Sequence, residues 1–453
     1  MKRILMRAAM SPLDSVDPCR MIQENTIGGN SGNMIFPFSL FRTLMADEDT
    51  QIDTIRTDHR FSAREAAVIN ETYDYFIIPL ANAFRGEFTW ELYFLSGLVD
   101  KLSIPCVVIG VGVQAPIDAS MKEDYPFDHA SKRFVKSILK RSAKIGVRGE
   151  MTAAYLKKLG FAEEQDFTVT GCPSMYLFGK DLPKPREGEL TTDSMVCTNR
   201  KPPLPQNFHR FMNESMKKLP NHYFLPQNLA DVALLYAGVP LTLSKHKSFP
   251  EGYPTLPSDE IFLKDRVRAF TNVPAWMEFL GKAQFSFGSR IHGNITAVLS
   301  GVPAFIFACD ARVRELAEYH GIQHMWIRDM TEGLDIFEIY AKADFAAVQR
   351  GHGQRFAHYV DFLNENGLEH VYDGRSMEEG LPFDRKLEER KPYPPIHSLF
   401  TRPYEEQAEI LSWYDTWLTL ENRKLLKQVQ RREDGIGLTL AKNLYRKIKE
   451  KGR

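Results

Sequence analysis

No stretch of this sequence approaches the ~18 consecutive apolar residues that a membrane span requires. The opening residues, Met1-Lys2-Arg3-Ile4-Leu5-Met6, carry charge with no signal-peptide apolar core behind them. A cytoplasmic location is therefore expected. Cysteine is scarce: Cys19, Cys106, Cys172, Cys197 and Cys309 lie far apart, form no CxxC pair and are odd in number. That argues against a disulfide framework and fits a reducing compartment, with the five read as small buried hydrophobes. There is no HExxH and no cluster of Cys and His, so no metal site is expected. Charge of one sign is not in surplus either. The 58 Lys and Arg balance the 58 Asp and Glu, and a neutral chain has no global field to gather nucleic acid. Internal repeats and low-complexity tracts are also missing.

What is present is length and alternation. At 453 residues the chain exceeds one ordinary core, and 43% hydrophobic with 26% charged residues suits a globular protein. Short apolar runs at Tyr73–Pro79, Pro105–Gly110, Lys144–Arg148 and Phe167–Thr170 alternate with helical patterns near 88–102, 130–141 and 151–159. This is the signature of a parallel sheet covered by helices. Residues 180–194 are polar and contain Pro and Gly, as a linker would. A second alternation follows, with strands expected at 195–198, 222–225, 284–287 and 304–308. The expected architecture is α/β, two Rossmann-like domains in tandem (GT-B-like) with a helical C-terminal extension. The boundaries are 1–185, 195–335 and 336–453. The extension reads as mostly helical, then loose, with Lys391-Pro392-Tyr393-Pro394-Pro395 as a stiff extended linker.

The densest chemistry lies at Phe287-Gly288-Ser289-Arg290-Ile291-His292-Gly293-Asn294, between a strand and a helix. Ligands in open α/β sheets sit beyond the carboxyl ends of strands. Two glycines allow close backbone approach, and the helix offers unpaired N–H groups and a positive dipole end. Arg290 adds a fork that grips phosphate or carboxylate in a bidentate way. His292 can give or take a proton near neutral pH. The combination suits a small, multiply charged anion that needs acid–base help.

The segment GSRIHGNITAVLSGVPAFIFACDARVRELAEYHGI, residues 288–322, resembles the signature of polysaccharide pyruvyltransferases. Ile145–Thr152 with Leu159-Gly160 and Val169–Ser174 is similar to that family's "VRD, helix, LG, VTxDP" stretch, and Ile104–Pro116 to its "PVVxxGxGxxP" strand and turn. The resemblance runs in order over residues 25–325. It departs in the first domain: Gly29-Asn30-Ser31-Gly32-Asn33 stands for "GNxGD", Pro79–Ala83 for a run of glycines, Val147-Arg148-Gly149 for "VRD" and Cys172-Pro173 for "DP".

The resemblance implies an enzyme of polysaccharide or exopolysaccharide biosynthesis. It would move a pyruvyl group from phosphoenolpyruvate, a co-substrate, to hydroxyls of a sugar as a ketal, with no cofactor. The acceptor, a saccharide, a polymer or a lipid-linked precursor, would sit on the first domain. His292 would be the general acid or base and Arg290 would clamp the donor. Ser289, Ile291, Gly293 and Asn294 would contribute around them, and Arg148 would reach the same anion from the first domain. Asn30 and Asn33 belong either to the acceptor cleft or to a plain turn. Arg200 faces the cleft or is solvated. Asp310 orients a hydroxyl or caps its helix. Residues 421–453 hold 11 Lys or Arg against 4 Asp or Glu. That tail is either a solvated helix or a peripheral contact with anionic lipid at the inner face of a membrane. Trp413 and Trp417 read as a packing face. Two other readings stand beside this one: a GT-B-type glycosyltransferase that places a nucleotide-sugar on the same anion site, and a non-catalytic member of the family.

Overall fold

The computed structural model describes residues 2–56, 58–241, 249–373 and 380–451, with side chains beyond Lys427 described only at Gln430. In the first half, β1 (Arg3–Arg7), β2 (Gln51–Ile55), β3 (Tyr75–Pro79) and β4 (Cys106–Ile109) form a parallel sheet in the order β2-β1-β3-β4. The pair β5 (Ile145–Val147) and β6 (Phe167–Val169) extends it through a parallel bridge between Val111 and Val147. Both faces of the sheet are covered. Ile4, Met6, Ile77, Val107 and Ile109 enter one core, while Leu5, Phe76, Ile78, Cys106 and Val108 enter the other. Alternate residues thus face opposite cores, which is why these strands read as unbroken apolar runs.

The second half repeats the plan. Here β7 (Val196–Asn199), β8 (His222–Phe224), β9 (Phe285–Gly288), β10 (Ala304–Ala308) and β11 (His324–Trp326) pair in parallel in the order β8-β7-β9-β10-β11. Each sheet therefore reverses its winding once, between β1 and β3 in the first unit and between β7 and β9 in the second. Clefts for ligands open at such switch points, beyond the carboxyl ends of the strands.

The two units are stitched together by backbone. Ser31 N–H donates to Gln227 O (2.8 Å), Leu229 N–H to Gly29 O (3.1 Å) and Ala311 N–H to Ala115 O (3.2 Å). Cys172 N–H donates to His320 Nε2 at 2.9 Å. These bonds hold the loops beyond β1, β4 and β6 against the loop beyond β8 and the helix that follows β10.

Past residue 335 the chain is better ordered than its composition suggests. The helix His352–Glu365 returns to the first unit, where Tyr359 stacks on Tyr176 at 4.4 Å and Glu365 pairs with Lys144 at 2.6 Å. Arg42 grips Asp384 with two nitrogens, at 2.9 and 2.8 Å. The stretch expected to be loose is pinned where Ile396 N–H donates to Ala269 O (2.8 Å), and Tyr404–Lys451 is one helix, docked by Trp413 against Tyr236 (6.1 Å), with Trp413 and Trp417 stacked on each other at 6.2 Å. Most side chains of the basic tail lie outside the described residues. Among the described residues, no helix is long and apolar enough to cross a membrane. Nor is the 180–194 segment a free linker, because Arg186 donates to the carbonyl of Ala283 (3.0 Å) and Gly188 O accepts from Tyr340 (2.9 Å).

Candidate active site

The elbow between β9 and the helix Ile291–Leu299 is shaped by what cannot fit there. Gly288 has φ +151°, and a Cβ on it would lie 1.8 Å from the Asn199 carbonyl oxygen. A Cβ on Gly293 would lie 2.4 Å from Gln227 Nε2. At Gly288, where the obstacle is backbone, only glycine permits this approach of β7 and β9. Asn294 then locks the turn. Its Nδ2 donates to Arg290 O (3.1 Å) and Gly288 O (3.3 Å), while its Oδ1 accepts from Ser286 Oγ (3.1 Å). Asn199 Oδ1 accepts from Arg290 N–H at 2.8 Å. The helix that follows is buried throughout and aims its amino end at the cleft.

Arg290 occupies the N-cap position and is held from the side. Its Nη2 donates to Asn228 Oδ1 (2.6 Å), Asn228 Nδ2 donates to Asp231 Oδ2 (2.8 Å), and Tyr253 Oη donates to Asp231 Oδ1 (3.1 Å). Burial lowers the Arg290 pKa, against the opposing pull of Tyr253 and Asp231. The Nε of Arg290 is buried with no protein partner.

His292 is 8% exposed, its ring lies 5.7 Å from Phe36 of the first unit, and its Nε2 has no protein partner. Burial, then the charges of Arg148 and Arg312, hold its pKa well below the ordinary value, so the free protein carries a neutral imidazole. Arg148 is buried at the end of β5. Its Nε donates to Gly110 O at 2.6 Å while Nη1 is unpartnered, and burial brings it down to about 10. Arg312 contributes a third guanidinium, with Nη2 3.4 Å from Asp310 Oδ2 and a buried Nε left free of protein partners. Beneath Arg148, Glu315 crosses from the second unit to accept from Thr152 N–H (3.0 Å) and Thr152 Oγ1 (2.9 Å). Burial raises its carboxyl to about 7, against the pull of Thr152 and Arg148.

The structure therefore brings together Arg290, His292 and Arg148, and it adds residues that the sequence reading passed over. These are Arg312, Glu315, Phe36, and the pair Gln227 and Asn228. Gln227 Nε2 and Ser289 Oγ are both buried without protein partners. Arg312, Gln227 and Asn228 all follow strand ends, so the rule that singled out Arg290 would have found them. Ile291 is buried behind the cleft, and Gly293 and Asn294 serve the elbow.

Other expected site residues make structural bonds of their own, although Asn33 also lines the first-unit cleft. Asn30 Oδ1 caps the turn at Gly32 N–H (2.8 Å), and Asn33 Nδ2 closes the loop on Ile27 O (3.1 Å). Arg200 is spent on Asn213 Oδ1 (3.0 Å) and Gly252 O (2.7 Å), and its guanidinium lies over the Tyr253 ring. Asp310 caps its helix through Val313 N–H (3.1 Å) and pairs with Lys201 at 3.4 Å. Burial would raise its carboxyl, but Arg312 and Lys201 overcome that and hold it low.

A cleft of about 420 Å³ opens on the first unit at the switch between β1 and β3, lined by Arg7, Pro79, Asn82, Arg85 and Trp90 among others. Phe36 lines it as well, so the cleft adjoins His292. No three His, Cys, Asp or Glu side chains gather as a metal-binding set among the described residues. Three guanidiniums, a helix amino end and a neutral imidazole can hold an anion with two charged groups and exchange a proton with it.

The family model for polysaccharide pyruvyl transferase matches residues 30–311, well over half of the chain. None of the curated proteins compared matches it. Among solved structures it is similar to an uncharacterized protein from Klebsiella pneumoniae subsp. pneumoniae NTUH-K2044 (13% identity, 70% of this chain and 88% of that one, TM-score 0.37). It is also similar to the UDP-GlcNAc 2-epimerase of Methanocaldococcus jannaschii (10%, 80% and 99%, TM-score 0.41). A third is sucrose-phosphate synthase from Thermosynechococcus elongatus (12%, 81% and 98%, TM-score 0.44).

Proposed function

The chain belongs to the polysaccharide pyruvyl transferase family, and from that premise we propose that it transfers the pyruvyl group of phosphoenolpyruvate to two hydroxyls of a saccharide, forming a ketal. One observation carries the donor half of this reading. Arg148 Nη1, Arg290 Nε, Arg312 Nε, Gln227 Nε2, Ser289 Oγ and His292 Nε2 are all buried without protein partners. Leaving a buried polar group unsatisfied costs roughly 1–3 kcal/mol each. A ligand with a carboxylate and a phosphate offers acceptors for such groups, and phosphoenolpyruvate has both.

The chemistry balances as follows. A proton adds to the methylene carbon of the enol phosphate, which makes C2 electrophilic. One sugar hydroxyl oxygen bonds to C2 and loses its proton. The C2–O bond to phosphate breaks, and the electron pair leaves with inorganic phosphate. A second hydroxyl then closes the ketal and gives up its own proton. The guanidiniums would hold the charged ends and stabilise the departing phosphate. His292 would exchange the proton. Neutral in the free protein, it gains proton affinity once an anion offsets Arg148 and Arg312, the two charges that depress it.

The test is a thermal-shift titration of wild type and Arg290→Ala with phosphoenolpyruvate, alongside UDP, GDP and their sugars. At a hundredfold excess over Kd a native-state ligand stabilises by about 2.7 kcal/mol. For a chain of this size that is a rise of about 3 °C. Stabilisation by phosphoenolpyruvate that is lost in Arg290→Ala is the expected result. Stabilisation by a nucleotide-sugar alone would replace this reading with a glycosyltransferase.

A further inference from the structure

Trp90 stands at the mouth of the first-unit cleft and is 83% exposed. It opens the helix Thr89–Val99, whose Leu92, Leu95, Leu98 and Val99 are buried, so the indole points away from the core. Tyr93 steadies it from one side, with ring centroids 6.1 Å apart and planes inclined at 57°. Below it, Glu91 is held at 3.1 Å from Arg7 and 2.8 Å from Arg60. In the same cleft the Arg85 guanidinium carbon lies 4.8 Å from the Phe88 ring centroid, and Asn82 Nδ2 donates to Gln114 Oε1 at 2.6 Å. A flat apolar face is thus framed by planar polar groups that are themselves fixed.

That frame matches one ligand chemistry. A pyranoside has an apolar C–H face and a rim of hydroxyls, so it can stack on an indole while planar side chains take the rim. An anionic lipid surface is disfavoured, because Glu87 projects at the same mouth with its side chain 80% exposed. The geometry also orders the cleft. Phe36 lines it and touches His292, whereas Trp90 is at the outer mouth. We propose that Trp90 is a stacking platform for a pyranoside of the saccharide acceptor that is not the sugar reacting at His292, with Asn82 and Arg85 binding its hydroxyls. This rests on the acceptor being a saccharide, as in the function proposed above, and it makes the protein a reader of oligosaccharides rather than of free monosaccharides.

The experiment is an array of immobilised short oligosaccharides beside their component monosaccharides, probed with the full chain as wild type, Trp90→Ala and Trp90→Phe. Wild type should bind a subset of the oligosaccharides in preference to the monosaccharides. Trp90→Phe should retain that binding, and Trp90→Ala should lose about tenfold in affinity, the worth of one good aromatic stack. An exposed side chain leaves the fold intact when truncated, so loss of structure does not stand in for loss of binding. Undiminished binding by Trp90→Ala, equal binding of monosaccharides, or no glycan bound by wild type would each overturn the proposal. So would a fall in molecular mass of Trp90→Ala in solution, which would mean that a second copy of the chain covers the indole. The donor reading is tested separately, by phosphoenolpyruvate stabilisation of the wild type, and it can fail while glycan binding through Trp90 stands.

Discussion

Glu315 should make the protein lose stability as pH rises through neutrality, and Glu315→Gln should remove that loss. The carboxyl is 2% exposed, bound to Thr152 of the other unit, and raised from its ordinary 4.5 to about 7. Between those two values the folded chain binds a proton that the unfolded chain has released. Its contribution is therefore complete below the unfolded pKa and disappears as pH climbs past 7. The full difference is about 3 kcal/mol, of which about 2.5 kcal/mol falls between pH 5 and pH 8. Unfolding entropy near 2.1 cal/mol/K per residue turns that into about 3 °C for this chain. Glutamine keeps the shape, can still accept from Thr152 N–H, and carries no titrating charge. The assay is differential scanning calorimetry of both proteins across that range, with all other titrating groups cancelling in the comparison. The gap between variant and wild type should widen in favour of the variant by about 3 °C from pH 5 to pH 8. Parallel curves would refute the claim that Glu315 holds a proton near neutrality.

His292→Gln should abolish turnover while leaving the chain folded. It should also change proton linkage. Burial, Arg148 and Arg312 keep the imidazole neutral in the free protein, and an anion between those guanidiniums relieves part of that field. Phosphoenolpyruvate binding near pH 6 should then take up a proton, read calorimetrically in buffers of different ionisation enthalpy. Equal uptake by His292→Gln would remove His292 from that role. Asn294→Ala strips partners from Gly288 O, Arg290 O and Ser286 Oγ in a fully buried turn. A loss of about 2–4 kcal/mol follows, seen as a melting temperature lower by a similar number of degrees. An unchanged melt would show that the elbow does not depend on that amide.

The alternation of short apolar runs with helical patterns located both sheets, because strands buried on two faces leave little room for polar residues. β1 was not legible. Ile4, Leu5 and Met6 are buried at the centre of the first sheet, but they lie between Arg3 and Arg7. Those charges are tolerated because Asp53 takes Arg3 at 3.0 Å and Glu91 takes Arg7 at 3.1 Å, partners that are 50 and 84 residues distant. The terminal helix was legible but its docking site was not, for a related reason: what anchors Trp413 is Tyr236, far upstream. At the site, Arg290, His292 and Arg148 stood out because glycines and strand ends mark them locally. Arg200 satisfied the same rule, yet Asn213 and Gly252 take its guanidinium. Position after a strand selects candidates, and only three-dimensional partners decide which cation is left free.

That distinction separates the two switch points by charge. In the first unit the cations at the cleft are paired, with Arg7 and Arg60 both on Glu91. A cleft so balanced attracts no particular anion, and its recognition falls to flat surfaces and neutral hydrogen bonds. At the second site Asp310 pairs with Arg312 at 3.4 Å, but the other two carboxylates stand back from the guanidiniums. Asp231 reaches Arg290 only through Asn228, and Glu315 is bound to Thr152 instead of to Arg148. The interposed Asn228 amide lets Asp231 orient Arg290 without neutralising it. Screening falls inside a buried cleft, so the uncompensated charge acts at greater strength there than it would at the surface. The chain thus presents a charge-balanced cleft on the first unit and, past Phe36, a buried cationic cluster drawn from both units. That is the division a transferase needs when one substrate is a small polyanion and the other is a polyol.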